Sequence, residues 1–161
     1  MTAIAVALTP DFADWECALL MATARSWLGV TIKTATADGR PVTSMGGLHV
    51  APDLVFADLD PQHFDALVVP GGMAWENGDV PETLHDLVRT FRDKRKMTAG
   101  ICAAASMLAG AGLLNDVKHT GNRLGSHQEY PAYTGADLYV EGPQAVHADG
   151  VVTAAGTAPF T

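Results

Sequence analysis

Residues 97–114 read MTAGICAAASMLAGAGLL. The apolar run ending at Ile101 gives way at once to Cys102, and then to a stretch of alanines suited to a helix. A strand that passes into a helix at a cysteine is the geometry of a nucleophile elbow. The tight turn lifts the thiol above the sheet, and the amides that follow point to where an oxyanion would form. A helix N-terminus also favours thiolate over thiol, so the Cys102 pKa is expected below the usual cysteine value. Ala103, Ala104 and Ala105 are small enough to leave the backbone open beside the sulfur. The G-x-S-x-G form is absent, and a buried inert thiol is the competing reading of the same residues.

The other cysteine, Cys17, sits inside DWECALLMATARSWL and reads as a small core residue of a helix. Two cysteines without a CxxC make neither a disulfide framework nor a metal site, and the six histidines show no HxxxH spacing. No metal and no cofactor is expected.

The elements that must position Cys102 follow from the pattern of apolar runs. AIAVAL (3–8), VTIKTAT (30–36), DALVVPGG (65–72), KMTAGI (96–101) and a run at about 150–154 read as strands. Several are continuously apolar, as in a sheet covered on both faces. Helices are expected over 13–28, with Ala18, Leu19, Ala22 and Trp27 among its apolar positions, and over 81–95. RPVTSMGGLHVAP reads as a hairpin about Gly46 and Gly47. The alternation predicts a mostly parallel sheet flanked by helices, joined by right-handed crossovers. Ligands of such sheets bind at the carboxyl ends of the strands, where both Pro70-Gly71-Gly72 and Cys102 fall. Thr157 followed by Pro159 reads as a helix start, and the expectation is one domain over 1–161 without its last helix.

Composition narrows the function. The chain of 161 residues suits one core, and with 48% hydrophobic and 17% charged residues it is a folded composition. A net charge of −8 argues against nucleic acid as a partner. The basic run RTFRDKRK, with Arg89, Arg92, Lys94, Arg95 and Lys96, falls at a helix end and reads as a solvated cap of the macrodipole. No apolar run reaches the roughly 18 residues of a membrane span. MTAIAVALTPDF lacks a basic leader region, so a cytoplasmic chain is expected.

FDALVVPGG, AGICAAASMLAGAGLLND and VVTAAGTAP together resemble the ThiJ/PfpI superfamily, also called the DJ-one family, which is related in fold to class I glutamine amidotransferases. DFADWE is similar to the segment that supplies this family's acidic partner to the cysteine. The resemblance spans residues 3–161. It implies a flavodoxin-like, three-layer α/β sandwich with the elbow at the end of a central strand, and a homodimer. It makes Cys102 the reactive cysteine and Glu16 the carboxyl hydrogen-bonded to its sulfur, with the amides of Gly72 and Ala103 as oxyanion donors. Asp14, two residues from Glu16, faces another way on a helix and reads as a first-turn dipole residue.

The chain also departs from the family. Members with peptidase character carry histidine directly after the cysteine, where this chain has Ala103. The histidine that other members place after the next strand corresponds by spacing to Asn122, which can donate a hydrogen bond but cannot serve as a base. His119, three residues earlier, either reaches the pocket or is buried elsewhere by strand alternation. Trp75, with Glu76, either lines a substrate pocket or covers the crevice at an interface. His127 is expected on an exposed helix face, His85 on the solvated side of its helix, and His49, His63 and His147 at the surface. These residues imply a cysteine-dependent enzyme on a small molecule, amidase- or hydrolase-like or hydrating an aldehyde or isonitrile. The alternative is a non-enzymatic sensor whose thiol is oxidised. Peptidase action and true glutamine amidotransfer are not expected.

Overall fold

The computed structural model describes residues 2–77, 80–142 and 144–158. In chain order its elements are β1 (Ala3–Ala7), α1 (Asp14–Leu28), β2 (Thr31–Thr36), β3 (Val42–Thr43), β4 (His49–Val50), β5 (Leu54–Val55), β6 (Ala66–Val69), α2 (Ala74–Asn77), α3 (Thr83–Asp93), β7 (Met97–Ile101), α4 (Ala103–Gly110), α5 (Leu124–Gln128), β8 (Val146–Ala148) and β9 (Val151–Ala154). Seven strands form one sheet in the order β5-β2-β1-β6-β7-β9-β8. All pairings are parallel except β8 with β9. This is the flavodoxin-like α/β fold, and β3 with β4 forms the expected hairpin outside the main sheet.

The continuous apolar strands are explained by what they face. Successive side chains of a strand point to opposite sides, and β6 shows both being buried. Leu67 and Val69 pack with Leu84, Val88 and Phe91 of α3 and with Met107 and Leu108 of α4. Val68, between them, packs with Val6, Leu8, Phe12, Cys17 and Ala99 on the other side. Cys17 is therefore a core residue, 2% exposed.

Helix α1 departs from its sequence pattern. It buries Glu16, Cys17 and Ala24, while the expected apolar positions lie outward, with Leu19 at 68% and Trp27 at 80% exposure. A carboxyl and a thiol thus occupy the face that an amphipathic reading reserves for leucine and tryptophan. The helix start expected at Thr157 and Pro159 runs into residues 159–161, outside the described residues.

Strand order reverses at β1, whose neighbours are β2 on one side and β6 on the other. Loops leaving adjacent strands diverge at such a point and leave a crevice at the carboxyl ends. The chain after β1 enters α1, which carries Glu16, and the chain after β6 is the Pro-Gly-Gly turn. β7 is the next strand, pairing Val69 with Gly100, so Cys102 arrives beside that turn.

Candidate active site

Cys102 lies between β7 and α4 with φ 58° and ψ −126°. A side-chain-bearing residue in that region stores roughly 1–3 kcal/mol of strain. Neighbouring bonds hold it there: its N–H donates to Ala154 O at 2.9 Å, and its carbonyl accepts from the Ala105 N–H at 3.1 Å. The adjacent turn must be glycine on steric grounds. A Cβ on Gly71 would stand 2.7 Å from the Cys102 Cβ, and one on Gly72, where φ is 147°, would stand 2.3 Å from Asp11 O.

The same turn presents amides. Phe12 and Gly72 form an isolated antiparallel bridge whose bonds run from Ala13 N–H to Gly71 O and from Met73 N–H to Asp11 O. That pattern leaves the Gly72 amide outside the ladder. The Ala103 N–H, first in α4, hydrogen-bonds the sulfur and lowers the thiol pKa.

Glu16 is 5% exposed. Its Oε2 accepts the Gly71 N–H at 2.6 Å, and its Oε1 is buried without a partner of hydrogen-bond geometry among the described residues. What Oε1 faces is the cysteine. Oε1 and Cys102 Sγ lie 2.8 Å and 2.9 Å from the point a Gly156 Cβ would occupy. Burial pushes the Glu16 carboxyl above its ordinary 4.5, against the pull of the Gly71 hydrogen bond. Asp14 points elsewhere: it accepts from Ser44 Oγ at 2.5 Å and from the Gly46 N–H at 3.1 Å. It anchors the hairpin turn to the start of α1, which a first-turn dipole role did not anticipate.

Asn122 stands where a histidine base would. Its Nδ2 donates to Cys102 Sγ at 3.1 Å, and its Oδ1 accepts the Gly156 N–H at 2.9 Å. Trp15 closes this side through its Nε1–H to Gly156 O at 3.1 Å. Neither Trp15 nor Gly156 was singled out in the sequence, although the glycine within TAAGTAP was the available signal. A cleft of about 540 Å³ opens against Asn122 and Ala103, the residues that hydrogen-bond the sulfur, and is lined also by Trp75, Ser106, Arg123 and Tyr130 among others. That size suits a small molecule. Trp75 lines it from α2; Glu76 is a residue whose side chain lies outside what is described.

The thiol pKa moves opposite to expectation. Burial pushes Cys102 above its ordinary 9.0, and the Glu16 charge adds to this, while the Asn122 and Ala103 hydrogen bonds pull it down. The expectation of a lowered pKa rested on the helix N-terminus; desolvation and the facing carboxylate outweigh it. Cys17, buried beside Glu16 and Asp14, is pushed up to about 12 and is chemically silent at neutral pH.

The structure decides between the two readings of His119 and corrects that of His127. His119 is fully buried, with Nδ1 on Val117 O at 2.7 Å and Nε2 on Tyr133 Oη at 2.8 Å; both nitrogens are engaged and neither reaches Cys102. His127, expected at the surface, is also fully buried, because Ser106 Oγ at 3.0 Å and Thr120 O at 3.3 Å satisfy its ring. His49, His63 and His147 are exposed as expected, and His85 is half-buried.

A flavodoxin-like sheet carries a strained cysteine at the end of an inner strand, with a buried carboxyl facing its sulfur and the Gly72 and Ala103 amides beside it. Residues 2–161 match the DJ-1/PfpI family, and the chain belongs to it. The DJ-1 superfamily protein Atu0886 from Agrobacterium tumefaciens superimposes with a TM-score of 0.96 and 61% identity, over 99% of this chain and 84% of that one. The uncharacterized protease YdeA of Bacillus subtilis is 37% identical over 150 residues, 93% of this chain and 74% of that protein. The deglycase PfpI of Pyrococcus furiosus is 37% identical over 79 residues, about half of each chain.

Proposed function

We propose that the chain is a cysteine-dependent enzyme acting on a small carbonyl compound, with Cys102 as nucleophile and Glu16 as its proton partner. The observation that carries this reading is the orphaned, buried Oε1 of Glu16 facing a strained cysteine. A carboxyl kept in so dry a place is stabilised as the acid. The acid-and-thiolate form of the pair is the reactive one. The thiolate pair adds to the carbonyl carbon while the C=O π electrons move onto oxygen, where the Gly72 and Ala103 amides receive them. Glu16 holds the proton that left sulfur and returns it to the departing or newly basic atom. An ester or amide then yields a thioester, whereas an aldehyde yields a hemithioacetal.

Asn122 orients and stabilises the thiolate. It cannot remove a proton, so a Cys-His peptidase mechanism is not favoured. The names deglycase and protease among the relatives both denote chemistry at a carbonyl-derived carbon, which is the step proposed. The test is consumption of methylglyoxal and hydrolysis of p-nitrophenyl acetate by the wild type, Cys102→Ala and Glu16→Gln. Turnover of either compound that is lost in Cys102→Ala supports the reading; equal rates in the three proteins contradict it.

A second reading, a thiol sensor, draws on the same orphan: a protonated Oε1 is placed to donate to an oxidised Cys102 sulfur. Peroxide treatment that stops at a stable sulfinate on Cys102, without carbonyl turnover, would favour it. We also propose a cytoplasmic homodimer of this single domain. Its support is the outward face of α1, with Leu19, Trp27 and Leu28 each at least 68% exposed. No helix among the described residues is long and apolar enough to cross a membrane. A monomeric mass in light scattering at micromolar concentration would overturn the dimer.

A further inference from the structure

We infer that Ser106 is a catalytic residue of the Cys102 cleft, transferring the proton of an attacking water to His127, which acts through it. The inference rests on the proposed thioester chemistry, which leaves one task unassigned. Water must lose a proton as it clears the acyl group; Asn122 and the oxyanion amides cannot accept it, and Glu16 is not among the residues that line the cleft.

Ser106 lies on α4, one turn beyond Cys102, and lines the cleft together with Ala103 and Asn122. Helical side chains lean toward the N-terminus, which aims this hydroxyl at the cysteine end of its own helix. Behind it, Ser106 Oγ is 3.0 Å from His127 Nδ1, and His127 Nε2 is 3.3 Å from Thr120 O. A carbonyl only accepts, so Nε2 carries the hydrogen, Nδ1 is the acceptor and the serine hydroxyl donates to it. The close approach of residue 121 permits this placement: a Cβ on Gly121 would stand 2.6 Å from His127 Cε1.

His127 is enclosed by aromatic and neutral groups. His119 stands 5.6 Å away between ring centroids, and Tyr133 and Tyr139 stand 5.5 Å away. His119 spends its Nε2 on Tyr133 rather than on His127. Burial lowers the His127 pKa and outweighs the Thr120 O hydrogen bond that raises it, so the ring stays a free base to below its ordinary 6.5.

The step balances. The water oxygen bonds to the thioester carbon, its proton passes to Ser106 Oγ, and the hydroxyl proton passes to His127 Nδ1. The tetrahedral oxyanion then re-forms its C=O as the C–S bond breaks, releasing the Cys102 thiolate and a carboxylic acid. The imidazolium gives its proton back through Ser106 to water.

The experiment is stopped-flow hydrolysis of p-nitrophenyl acetate, which separates acylation, seen as a burst, from the slow deacylation phase. In Ser106→Ala the burst is expected to persist while the slow phase falls about 100-fold, the lower end of general acid–base contributions, and Ser106→Thr restores it. The wild-type slow phase should hold its rate through pH 6.5 and decline only below it, a limb that Ser106→Ala lacks. An unchanged slow phase in Ser106→Ala, or burst and slow phase falling together, overturns the inference and leaves the cysteine reading intact. A wild type with no burst, or with the same burst in Cys102→Ala, overturns both.

Discussion

Replacing Glu16 by glutamine should lower the pKa of Cys102. The substitution keeps the shape of the side chain, removes its charge and leaves an amide able to donate to sulfur. Oε1 and Sγ each lie within 3 Å of one common point, so they are less than about 6 Å apart. Two unit charges at that separation interact by about 3 kcal/mol at an effective dielectric of 20, or about two pKa units. Cys102 is half-buried, and solvent screening on its open side reduces this to roughly one unit. The wild-type pair titrates as a coupled unit, with thiolate emerging in two steps. Glu16→Gln should show a single step, roughly one to two units below the main wild-type midpoint. The assay is thiolate ultraviolet absorbance against pH, checked by alkylation rate; Cys17 does not interfere, being pushed up to about 12. A thiol pKa that rises or stays in place would refute the claim that an ionisable Glu16 faces the sulfur.

Asn122→Ala should move the same pKa the other way, by about one unit, because it deletes a hydrogen bond to the thiolate; alkylation rates across pH check the sign. Gly156→Ala would place a methyl 2.8 Å from Glu16 Oε1, 2.9 Å from Cys102 Sγ and 3.1 Å from Cys102 Cβ, and the two closest atoms are side-chain ends, so the fold should persist. Its expected signature is an unchanged melting temperature to within a few degrees with a single-step thiol titration. Stability should respond to Glu16 in a defined pH window. Its folded pKa is raised, so its contribution is fully present below about pH 4.5 and is lost as pH rises through the raised value. Glu16→Gln should therefore melt higher than wild type at pH 7, and the difference should close below about pH 4.5.

What the sequence reveals and conceals here has a physical pattern. The inner strands were legible because β1, β6, β7 and β9 are short apolar runs ended by turn residues, and their order follows from the crossovers. The junction of β7 and α4 was legible too, since a cysteine between a strand and an alanine helix has few other geometries. Helix α1 was misread because its apolar residues face outward, a choice that amphipathic periodicity cannot see. β8 was missed because its three residues carry no usable period. His127 was misplaced because its partners, Ser106 and Thr120, come from other parts of the chain. The raised Cys102 pKa escaped for the same reason: burial depth and the distance to Glu16 are tertiary quantities.

The central claim is that Cys102 attacks a carbonyl carbon, and the most direct test is to trap the product. Wild-type protein mixed with p-nitrophenyl acetate should be acid-quenched during the burst and mapped by peptide mass. The account predicts one acetyl group on Cys102, none on Cys17, and no acetylated protein from Cys102→Ala. Acetylation elsewhere, or hydrolysis that persists in Cys102→Ala, would contradict it.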